Sequence, residues 1–122
     1  MATTLTALNW VARIVGVVLI ILGIFFWTGS AIGLIGLHMA LGAIFVLVLW
    51  AMAIVAAVGR APIATVVVGL IWGALILWVG LTQTTMPLGS AHWVIQLIHL
   101  LLGGIGIGVA QRLATVAPRT AT

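Results

Sequence analysis

Four apolar runs, at about residues 10–27, 31–58, 63–81 and 92–113, take up most of this 122-residue chain, and only short polar breaks separate them. Each is close to the roughly 20 residues a helix needs to cross a hydrocarbon core. Backbone in lipid must satisfy its own hydrogen bonds, and the runs show no period-two alternation, so they predict helices and not barrel strands. The breaks are rich in turn formers: Thr28-Gly29-Ser30, Gly59-Arg60-Ala61-Pro62, and the polar stretch Thr82-Gln83-Thr84-Thr85-Met86-Pro87. Connections this short make successive helices antiparallel neighbours. The expectation is an all-α, integral membrane four-helix bundle, a single transmembrane domain over residues 1–122 built from two tandem helical hairpins. Hydrophobic residues make up 66% and charged residues 3% of the chain, a composition from which no soluble domain could build its surface.

The charge pattern orients this bundle. There is no Asp or Glu, and the four basic residues, Arg13, Arg60, Arg112 and Arg119, all fall on one side of a four-span topology. By the positive-inside rule that side is cytoplasmic, which predicts a multi-pass protein of a bacterial-type inner (cytoplasmic) membrane with both termini inside. The arginines are dispersed, so the basic balance reports topology and points to no nucleic-acid partner. Trp27 and Trp93 fit an outer interfacial belt and Trp10 an inner one. The first run reads as a retained span: its only charge, Arg13, lies inside the apolar stretch and no Ala-x-Ala site closes it. With no cysteine, disulfides, iron–sulfur clusters and thiolate-bound zinc are excluded.

Within this acid-free chain the two halves carry a weak repeat. Gly29-Ser30-Ala31 leads to His38 and Gly42, and Gly89-Ser90-Ala91 leads to His99 and Gly103, so His-x-x-x-Gly occurs in both. At 1.5 Å rise per residue both imidazoles should lie roughly 12 to 14 Å below the outer boundary, level with one another on facing second and fourth helices. Ionisable residues inside a span are functional suspects by default. A six-coordinate haem takes one imidazole on each face, and a glycine one turn on would clear space for the porphyrin edge. The ordinary alternative is that each histidine hydrogen-bonds to a neighbouring helix and each glycine lets backbones approach.

On the fourth run His92, Gln96, His99, Gly103, Gly106 and Ala110 share one helical face; on the second, Ala31, Ile35, His38, Gly42, Phe45, Leu49 and Met52 form the comparable stripe. Gln96 could orient a ligand or meet a propionate, His92 could partner a propionate or a quinone, and Phe45 could pack on a macrocycle or simply in the core. The pairs Gly69-x-x-x-Gly73 and Gly104-x-x-x-Gly108 read as packing contacts, within the chain or between subunits.

On His38-x-x-x-Gly42, His99-x-x-x-Gly103 and the four-span layout, the chain resembles the small four-helix membrane-bound b-type cytochromes. That resemblance implies a haem b electron-transfer protein or small subunit of a redox complex, with His38 and His99 as axial iron ligands, one haem per chain, and no stand-alone enzyme. Partners would be the bilayer, other membrane redox subunits, quinone or a second copy of the chain. The propionates would have to find Thr28, Ser30, Gln96, His92 or the stretch 82–85, because the arginines are on the far side. Two other readings stay open: a cofactor-free structural or assembly subunit, and a chlorin-binding photosynthetic subunit with His38 or His99 on magnesium.

Overall fold

The computed structural model of the chain describes residues 1–116; Arg119 and the C-terminus, to which the topology argument also appealed, lie outside the described residues. Four helices make up the fold: α1 (Ala2–Trp27), α2 (Ile35–Val58), α3 (Ile63–Thr82) and α4 (His92–Val116). Short 3-10 turns at Ile32–Leu34, Gln83–Thr85 and Gly89–Ala91 lead in and out of them. All four helices are long and apolar enough to cross a membrane.

The start of α1 differs from the expected residue 10. Leu5 is only 1% exposed and Ala12 is buried, with Leu8 packed against the same core between them. That three-and-four spacing is the period of an amphipathic helix, although threonines interrupt the apolar run. Thr6 donates its hydroxyl proton to the Ala2 carbonyl at 2.9 Å, which keeps a hydroxyl in a helix without competing for solvent. Arg13 is therefore in the middle of α1 and not in its first turn. The second run also opens differently: Ala31 takes a left-handed conformation (φ 57°), a 3-10 turn follows, and regular α-helix starts at Ile35 instead of residue 31. At the far end α4 continues to Val116, three residues past the expected 113.

Two helices end in the same way. After α1 the Ser30 amide donates to the Phe25 carbonyl at 2.8 Å across Gly29, whose φ is +77°; after α2 the Ala61 amide donates to Ala56 at 2.9 Å across Arg60, whose φ is +60°. This six-to-one closure needs a left-handed residue. Glycine adopts it freely, whereas for other L-residues it costs roughly 1–2 kcal/mol. Replacing Arg60 with Gly should therefore stabilise the fold by about 1 kcal/mol in a reversible unfolding titration in mixed micelles. Unchanged or lower stability would show that the Arg60 side chain contributes more than its backbone loses.

Each helix packs on its sequence neighbours, α4 closes onto α1, and α2 and α4 also meet across the diagonal. α2 is the central element, burying Phe45, Val46, Leu49, Met52, Ala53 and Ala56. In lipid, which is as apolar as leucine, such a bundle would depend on close packing and interhelical hydrogen bonds. Both are present. The Trp50 indole on α2 donates to the Leu70 carbonyl on α3 at 3.0 Å, and Trp72 on α3 donates to Leu102 on α4 at 2.9 Å. Gly73 makes the first of these possible, since a Cβ there would lie 2.5 Å from the Trp50 ring nitrogen. Gly69 meets Leu113 in the same way, so the Gly69/Gly73 pair works inside the chain, while Gly104 and Gly108 face open space.

Candidate functional site

At one end of the α2–α4 diagonal the two histidines meet. His38 is in the first turn of α2 and His99 in the second turn of α4, yet their ring centroids are 6.2 Å apart with the planes at 61°. The 3-10 turn before α2 and the longer connection before α4 compensate for the unequal positions along the helices. Phe26, near the end of α1, meets the His38 ring edge-on at 5.3 Å. Both Nδ1 atoms are buried and without a hydrogen-bond partner. Two buried, unpartnered polar atoms in a chain this apolar are costly unless something pairs with them. The interhelical hydrogen bond that would be the ordinary role of a membrane histidine is not made by either Nδ1.

The glycines that touch the imidazoles are not Gly42 and Gly103. A Cβ at either of those positions would have nothing within 4 Å, so they leave open room one turn beyond each histidine. The contacts come instead from the preceding helices. A Cβ on Gly23 of α1 would lie 3.9 Å from His38 Cε1, and one on Gly80 of α3 would lie 3.1 Å from His99 Cε1. Sequence reasoning passed over this pair, although the signal was present: Gly16 and Gly23 are seven residues apart, as are Gly73 and Gly80, and four residues before each set stand Ala12 and Gly69. Seven residues is two helical turns, so each set lies on one face. The first and third helices thus repeat as the second and fourth do.

The repeat is less faithful at the connections. Gly29 closes α1 with Ala31 left-handed after it, whereas Gly89 (φ +51°) opens a 3-10 turn of its own. The same three letters therefore make two different turns, because the second connection is longer and carries two 3-10 turns. The halves also differ below the histidines, where Phe45 on α2 corresponds to Gly106 on α4. The Phe45 ring, 2% exposed, is wedged between Gly16 and Gly106, whose Cβ positions would lie 3.2 and 3.1 Å from it. Phe45 is thus a core plug two turns from His38.

Gln96 and His92 are half-buried on the same face of α4 as His99, and neither side chain is hydrogen-bonded among the described residues. The threonines expected to help are already engaged. Thr28 donates to the Phe25 carbonyl at 2.9 Å, Thr82 to Trp78 at 2.7 Å and Thr85 to Thr82 at 2.8 Å. The candidates still free to donate include Gln83 and Thr84 in that stretch and Ser30, Gln96 and His92. No group of three or more His, Cys, Asp or Glu residues that could hold a metal occurs among the described residues. A metal at the histidine pair must take its other ligands from elsewhere. Comparison of the chain with protein-family models, curated proteins and solved structures finds no match, so the site is read from its own chemistry.

Proposed function

We propose that the chain is a membrane-embedded haem b protein that holds one haem between His38 and His99 and serves electron transfer, as a carrier or as a small subunit of a larger redox assembly. One observation carries this reading: two imidazoles from facing helices meet at 6.2 Å with both Nδ1 atoms unpartnered. Two imidazoles this close could together hold one haem iron, His38 from α2 and His99 from α4. A porphyrin brings its own four equatorial nitrogens, so two protein ligands are enough. When bound, haem supplies a one-electron couple; everything else falls to the chain.

The chain's part is to hold two neutral rings in an apolar setting that excludes water. Gly23 and Gly80 keep the space beside the rings free of side chains, and Gly42 and Gly103 leave room one turn on. Ser30, Gln96 and His92 would meet the polar edge of the group. The bundle would sit in a bacterial-type inner membrane with the histidine end outside and the connection at Arg60 inside, as the positive-inside rule requires. The exposed Trp27 and Trp93 fit the outer interface.

The edge-on contact between Phe26 and His38 favours a second reading, a cofactor-free aromatic cluster that knits α1, α2 and α4. Titration of the detergent-purified chain with hemin separates the two. The haem reading expects a stoichiometric, redox-sensitive low-spin spectrum that is lost in His38→Ala and in His99→Ala and kept in His92→Ala. No binding by the folded wild type, or low-spin ligation that survives both axial substitutions, would favour the cluster.

A further inference from the structure

Among the described residues, Arg13 is the one arginine inside a helix far from both of its ends. At 1.5 Å per residue it lies about 16 Å from the start of α1 and about 21 Å from Trp27. Its guanidinium carbon sits 5.3 Å from the Trp10 ring centroid, so the side chain leans one turn toward the N-terminal end. It faces outward, and with no Asp or Glu in the sequence the chain has no carboxylate side chain to offer it. Beside it runs a shallow groove on the outer face of α1, lined by Trp10, Arg13, Ile14, Val17 and Val18. Ile14, Val17 and Val18 are 61%, 50% and 38% exposed. An exposed indole, a cation and an apolar strip thus follow one another along the helix.

We infer that this groove binds an anionic phospholipid, its headgroup phosphate on Arg13 beside Trp10 and an acyl chain along Ile14, Val17 and Val18. The inference rests on the membrane-spanning part of the proposed function and is independent of haem. Charge complementarity selects the occupant: a guanidinium in an apolar span needs an anion, and phosphate accepts its paired N–H groups. The indole and the charge lie on one side of the aliphatic strip, as the polar headgroup region of a leaflet lies outside its acyl chains.

The test reconstitutes the chain in vesicles and then measures lipid adducts by native mass spectrometry, with phosphatidylglycerol competing against phosphatidylcholine of the same acyl chains. Wild type should prefer phosphatidylglycerol by about fivefold, the worth of one basic side chain at an anionic surface. Arg13→Gln should abolish the preference, Arg13→Lys should keep part of it, and Arg112→Gln should leave it intact. Circular dichroism checks that each variant retains its helices. A wild type that floats with vesicles yet shows no preference, or a folded Arg13→Gln that keeps it, overturns this site and leaves the membrane reading standing. A chain that does not float with vesicles overturns both.

Discussion

Gly80→Leu should abolish haem binding by the folded chain, with an effect as large as removing His99 itself. A Cβ at Gly80 already stands 3.1 Å from His99 Cε1, closer than ordinary van der Waals contact, and the rest of a leucine would occupy the imidazole's own volume. The unliganded ring can rotate away, so the helices should survive; a ring held by a metal cannot. Gly80→Ala should weaken binding by roughly tenfold, since a shift of a few tenths of an ångström in a ligand ring is a loss on the order of 1–1.5 kcal/mol. Gly23→Ala is the control, because its Cβ would be at 3.9 Å from His38 Cε1, an ordinary contact. Hemin titration of the three variants reads the grading directly. Equal binding by wild type and Gly80→Leu would mean that the His99 ring does not occupy this position when haem is bound.

Gly106→Ala should destabilise the core by about 1–3 kcal/mol through overpacking. The new carbon would stand 2.8 Å from Ile76 Cδ1 and 3.1 Å from Phe45 Cε1. Phe45 cannot retreat, because its other edge lies against Gly16. Phe45→Leu alone should also destabilise, by leaving a gap in a bundle whose association depends on packing. Together the two changes should cost less than their sum, with a coupling of roughly 0.5–3 kcal/mol in a double-mutant cycle of unfolding in mixed micelles. Strict additivity would show that the ring and the glycine do not share a contact.

Much of this molecule was legible before any coordinates. The four helices follow from the length of the apolar runs and the turn residues between them, because a backbone without water partners has few alternatives to the helix. The stripe through His38, Phe45, Leu49 and Met52 and its counterpart through His99, Gly106 and Ala110 follow from helical periodicity alone. Those faces do form the diagonal, and Phe45, Leu49, Met52 and Ala110 are all 2% exposed or less. The start of α1 was misplaced because mean apolarity was read where Leu5, Leu8 and Ala12 carried the period.

The pairing of residues from different helices was decided elsewhere. His-x-x-x-Gly suggested that Gly42 and Gly103 attend the histidines, but the rotation of α1 and α3 about their own axes brings Gly23 and Gly80 there instead. Nor could spacing reveal that Phe45 fills the hollow left by Gly106, or that Arg13 is far from either end of its helix with its side chain turned to Trp10. A residue's position along a helix and the face it occupies are local properties, set by a rise of about 1.5 Å and about 100° of turn per residue. Which faces oppose one another, and at what depth, depends on how four side-chain surfaces interlock at once, so contacts between helices are settled only by the packed whole.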